Sequence, residues 1–170
     1  MSNITVDQHS IASFRKFYKL LPRGADASLL ILKLHLLVEE QVRAFVDERV
    51  SKPESLLEAK LECHQAICLA EALSSEEIHP NIWEAARKLN TLRNLIAHSL
   101  EPKGIIDRME AISSLIGAPR SPHAVDSKAR QTAAVERLSF AVSLLHSGIS
   151  IYVKRKPANV LSIVPPKSDA

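Results

Sequence analysis

The chain has 170 residues, of which 46% are hydrophobic and 4% aromatic, with mean hydropathy near zero. That length suits one domain with a core of Leu, Ile, Val and Ala and hardly allows two, and four glycines with few β-branched runs favour helices over sheets. The net charge of +3 and pI near 9.0 exclude little by themselves: of 22 basic and 19 acidic side chains, Lys154, Arg155, Lys156, Lys167 and Asp169 lie beyond residue 153, so the body carries 18 of each and bulk charge gives it no grip on nucleic acid.

Residues 1–9 read as a loose or weakly helical arm. A short amphipathic helix follows over Ile11 to Leu21, with Ile11, Phe14, Phe17, Tyr18 and Leu21 at helical spacing, and Pro22-Arg23-Gly24 breaks it. Asp26 is placed to N-cap a helix that runs to about Val50. Its first half, Leu29 to Val38, is apolar nearly all round, which makes it central in a bundle or covered on two sides by a partner. Ser51-Lys52-Pro53-Glu54 has capping-box spacing ahead of a helix from Ser55 to Leu73, with Leu57, Leu61, Ile67 and Ala70 broadly on one side. Asn81, with Glu84 three residues on, is positioned to cap a helix through Leu100. Another helix, Ile105 to Ile116, stops at Gly117, and Ala118 to His123 with its two prolines is a loop. The last helix runs from about Asp126 to Val153. The expected fold is therefore all-α, an up-and-down bundle of about five to six helices in one domain over 1–153, with a basic, proline-containing flexible tail over 154–170.

No apolar run reaches the roughly 20 residues of a membrane span, and Ser2 to Ser10 is polar, so the expected location is cytoplasmic with no membrane contact. Cys63 and Cys68, five residues apart on one helix, point roughly 140° from each other and cannot pair there.

Chemistry concentrates on the helix ending near Leu100. Ala85, Leu89, Leu92 and Ile96 repeat at helical spacing and form its core stripe, while Arg87, Asn90, Thr91, Asn94 and His98 share another face. Asn94 and His98 are one turn apart, so the amide can reach toward the imidazole. Arg93 lies at the edge of this face in a row with Ala86 and Ala97, whose small side chains leave room beside the guanidinium. Arginine offers a permanent fork for phosphate oxygens, and an imidazole can move a proton near neutral pH. Read only as residues, the set is a solvated polar face with a capping histidine or a phosphodiester site.

The segment Leu89-Asn90-Thr91-Leu92-Arg93-Asn94-Leu95-Ile96-Ala97-His98 resembles the HEPN superfamily, all-α proteins marked by an Arg-x4-6-His motif. The earlier stretch His35-Leu36-Leu37-Val38-Glu39-Glu40-Gln41-Val42-Arg43-Ala44-Phe45-Val46 is similar to that family's second recognisable element. Together the two blocks cover about a third of the chain. The resemblance implies a helical bundle, often dimeric, whose active members are metal-independent ribonucleases, often toxins or defence proteins, and whose other members are inactive scaffolds or regulators. It also implies site roles for Arg93, Asn94 and His98, and makes Glu40, followed by the apolar Val42 and Phe45, the better match of the two glutamates.

Glu39 and Glu40 either leave the core where their helix reaches water or, in the functional reading, Glu40 faces the motif helix and orients Arg93 or His98. His64 and Cys68 at i, i+4 form two potential metal ligands, with His79 as a third only through folding; burial of Cys68 is the plainer reading. His35, on an apolar stripe, reads as a satisfied core histidine. No cofactor and no catalytic metal set is expected. Two functions follow. The first is a homodimeric ribonuclease acting on single-stranded or loop RNA, with His98 transferring the proton, Arg93 neutralising charge on the phosphate and Asn94 holding either in place. The second is a non-catalytic bundle that binds a protein partner, as an antitoxin would be. The apolar circumference of the Ala27 to Val50 helix and the incompleteness of a lone Arg93 site both argue for a homodimer.

Overall fold

A helix apolar around its whole circumference must be covered on several sides, and the computed structural model shows what covers this one. It describes residues 7–21, 26–76, 78–119 and 126–155, which form seven helices and no strand: α1 (Gln8–Leu20), α2 (Ala27–Asp47), α3 (Glu54–Ala59), α4 (Cys63–Ala72), α5 (Pro80–His98), α6 (Ile105–Leu115) and α7 (Ser127–Val153). The expected all-α bundle is what forms. Residues 1–6, the Pro22-Arg23-Gly24 break, most of the loop before His123 and the tail beyond Arg155 lie outside the described residues.

α2 is the axis of the bundle, packed against α4, α5 and α7, while α7 also packs on α1, α5 and α6. One apolar cluster takes Phe17 from α1, Ile31, Leu34, Val42 and Phe45 from α2, Ile67 from α4, Trp83, Leu89 and Leu92 from α5, Met109 from α6, and Leu138, Leu145 and Ile149 from α7. Each such side chain contributes about 1.5–3 kcal/mol of burial against chain entropy of similar total size. Helices of its own chain thus cover most of the apolar girth of α2, while Leu29 and Leu36 stay exposed.

Local signals place most helix ends. Asp7 accepts the Ser10 N–H at 2.7 Å, which draws its carboxyl below the ordinary value, and Asp126 accepts the Ala129 N–H at 2.7 Å. Asp26 sits at the start of α2, but its side chain makes no capping bond. Gly117, at φ 72°, takes the left-handed conformation that ends α6. The expected Ser55–Leu73 helix is instead two. Lys60 turns left-handed at φ 48°, and α4 restarts behind Glu62, whose N–H donates to Gln65 Oε1 at 2.9 Å. Pro53, not Ser51, precedes α3, and Leu57 is 80% exposed rather than aligned with Ile67 and Ala70. α5 starts at Pro80, capped by His79 Nδ1 accepting from Asn81 N–H at 3.2 Å. Asn81 serves a different purpose: its Nδ2 donates to Leu115 O at 3.0 Å, tying α5 to the end of α6.

Two arginines close helix ends that would otherwise expose carbonyls inside the bundle. Arg49 donates to Tyr152 O at 2.7 Å and Arg155 O at 3.0 Å at the end of α7, with its guanidinium over the Phe45 ring. Arg137 donates to Ala118 O and Pro119 O beyond α6 and pairs with Glu110.

Candidate functional site

The start of α4 and the outer turns of α2 and α5 enclose a half-open cleft of about 460 Å³ lined by polar side chains. α2 contributes His35, Glu39 and Arg43, α4 and the residue before it Glu62, Cys63 and His64, and α5 Asn90, Arg93, Asn94 and His98. Each set follows from helical spacing. Residues 35, 39 and 43 recur every four positions and make one stripe down α2, as 90, 94 and 98 do down α5. The cleft brings the stripes together because α2 and α5 pack side by side and α4 packs against both.

Arg93, Asn94 and His98 therefore share one cleft, as the motif requires. Arg93 is half-buried, and Asn94 and His98 are exposed. The amide goes to the guanidinium, not the imidazole: Arg93 Nη1 donates to Asn94 Oδ1 at 3.0 Å. Of the two alanines in the row of Arg93, Ala97 is exposed, but Ala86 is buried in the core.

Glu40 does not face the motif helix. It pairs with Lys16 of α1 at the surface. Glu39 lines the cleft instead, because successive helical residues differ by about 100° in direction and α5 lies on the Glu39 side. Glu39 Oε1 accepts from Arg43 Nε at 3.0 Å and Nη2 at 2.6 Å, and Arg43 also donates to Leu61 O at 3.0 Å, holding the turn before α4.

Behind the open part of the cleft lies a group whose members, far apart in the chain, meet only through folding. His35, whose side chain is only 5% exposed, sits with Nε2 3.0 Å from Asn90 Oδ1 and 3.4 Å from Cys63 Sγ. A carbonyl oxygen only accepts, so Nε2 carries the hydrogen and donates to Asn90. Nδ1 makes no hydrogen bond among the described residues and lies 3.8 Å from Glu39 Oε2. Burial holds the imidazole below its ordinary value, opposed by the Asn90 bond and by Glu39. Burial and the Glu39 charge push the Cys63 thiol up to about 11, against Arg43 and Arg93, so it is a neutral thiol and a poor nucleophile at neutral pH. The reading of His35 as a satisfied core histidine describes one nitrogen and misses the other. The signal was present as His35, Glu39 and Arg43 at successive fourth positions in an otherwise apolar helix.

The other pair behaves as spaced. Cys68 Sγ lies 3.7 Å from His64 Nε2 on an exposed face, so Cys68 is not buried, and His79 is engaged at the start of α5. Among the described residues no helix is long and apolar enough to cross a membrane. Comparison with family models, with curated proteins and with solved structures finds no match.

Proposed function

We propose that this chain is a HEPN-type, metal-independent endoribonuclease, working as a cytoplasmic homodimer on single-stranded or loop RNA. The observation that carries the reading is the convergence of Arg93, Asn94 and His98 on one open cleft. In this mechanism His98 accepts the ribose 2′-hydroxyl proton or protonates the leaving 5′-oxygen. Arg93 neutralises charge growing on the phosphate, and Asn94, bonded to Arg93, keeps the guanidinium fork aimed into the cleft. A second subunit would supply the second imidazole, giving an acid and a base from one histidine each. Glu40, paired with Lys16, takes no part.

The test is cleavage of a mixed-sequence single-stranded RNA by wild type, Arg93→Ala and His98→Ala, each with EDTA. Wild type should cut and leave a 2′,3′-cyclic phosphate, and each variant should lose activity by about 10²–10⁴-fold while keeping its helical circular dichroism. Cleavage that chelation abolishes and a divalent ion restores would refute the mechanism, as would variants with wild-type rates.

The second reading is a non-catalytic regulator or scaffold that binds a protein such as an antitoxin. Exposed Phe14 and Tyr18 on α1 and Phe140 and Leu144 on α7 favour it, since large apolar side chains at a surface suit a partner. An intact, folded wild type without RNA cleavage would make it the better account.

A further inference from the structure

We propose that His35, Glu39 and Cys63 form a binding site for a borderline-soft divalent cation, Zn(II) above all, that clips α2 to the start of α4. One donor atom from each of the three lies within 4.8 Å of the others, a spacing that a single ion at ordinary bond lengths of about 2.0–2.3 Å can span. Nitrogen, carboxylate and thiolate donors together select Zn(II), Co(II) or Ni(II) over Mg(II) or Ca(II), which take oxygen alone.

The surroundings prepare each donor. Asn90 takes the Nε2 hydrogen of His35, which leaves the lone pair on Nδ1, the nitrogen on the Glu39 side that makes no hydrogen bond. Fixing a ligating imidazole through its other nitrogen is how outer partners orient metal sites. Arg43 engages Oε1 of Glu39 through both its contacts, and Oε2 is the oxygen turned toward His35. Cys63 is the first residue of α4 and half-buried; its Sγ lies 3.4 Å from His35 Nε2, so a small turn of the thiol toward the Nδ1 side completes the set. Arg43 and Arg93 bring positive charge to the same cleft. On binding, the Cys63 thiol releases its proton to solvent, so a thiolate and the free oxygen of Glu39 meet the ion while Arg43 keeps the other oxygen. Three protein ligands leave a fourth position, and the cleft on which the site opens is the one that holds Arg93 and His98.

The inference is independent of the ribonuclease reading, and its test needs no RNA. Full-length protein, stripped with chelator and kept under a non-thiol reductant, is titrated with Co(II) and followed by absorption. Wild type should develop tetrahedral d–d bands and a near-ultraviolet thiolate-to-Co(II) charge-transfer band that saturate at one equivalent and disappear on adding Zn(II). Cys63→Ser should lose the charge-transfer band, Glu39→Gln should bind more weakly, and Cys68→Ser should match wild type. Zn(II) should also raise the wild-type melting temperature, a readout that does not depend on any variant folding. Absence of the band in wild type would overturn the proposal. So would its persistence in Cys63→Ser, or its loss in Cys68→Ser, which would move the site to the exposed His64–Cys68 pair.

Discussion

His146 gives the most direct test of how the bundle is held together. It lies on α7 at 1% exposure, against the Phe17 ring at 4.9 Å between centroids, with Nε2 3.4 Å from Ser13 Oγ of α1 and, among the described residues, no hydrogen bond at Nδ1. Burial is the main cause that pushes its imidazole down to about 4 from 6.5; Lys16 and His9 add to the fall, and Glu40 opposes it. Because the folded value is depressed, the unfolded chain takes up this proton first. The stabilisation is complete above 6.5 and is lost as pH falls through the window from 6.5 to about 4. Lowering the pH from about 7.5, above the window, to about 5, within it, removes roughly 2 kcal/mol, a substantial share of an ordinary domain's stability. His35, also held low by burial, acts in the same direction. The assay is urea unfolding at several pH values for wild type and His146→Leu, comparing the slopes and not the absolute stabilities. The variant should be flatter by about 2 kcal/mol over that range. A variant slope equal to that of wild type would mean that α1 leaves α7 readily enough to hydrate the imidazole, and the packing argument would fail.

Two further substitutions probe single contacts. Asn90→Ala removes the acceptor of the buried His35 Nε2–H and should cost about 1–3 kcal/mol in denaturant unfolding; a loss below about 0.5 kcal/mol would show that the bond is not formed. Gly148→Ala, within α7, gains helix propensity of about 0.5–1 kcal/mol. Its new Cβ would meet only Cδ1 of Ile82 at 3.2 Å, the far end of a half-buried, flexible side chain, so the net should be stabilising and visible as a higher melting temperature. A lower melting temperature would show that Ile82 cannot give way.

Much of this molecule was determined by local chemistry that a sequence exposes. Helical spacing and scarce glycine made it all-α, Asp7-type and Asp126-type caps and Gly117 set helix ends, and the recurrence of Asn90, Asn94 and His98 at every fourth position put them on one face with Arg93 at its edge. The apolar circumference of α2 marked it as central. What spacing does not encode is which neighbour lies on which side of a helix that is apolar all round. Glu39 and Glu40 are adjacent in the chain, and the packing of α5 on one side of α2 brings the first to the cleft, while the second points away and pairs with Lys16 of α1 at the surface. The same holds for His35 and Asn90, 55 residues apart, and for His35 and Cys63, 28 apart. The split at Lys60 follows suit: a lysine has no intrinsic demand for a positive φ, and it adopts one here where the chain must turn from α3 to bring Cys63 back beside α2. Periodicity reports the face a residue shares within its own helix, and tertiary packing alone decides what that face meets.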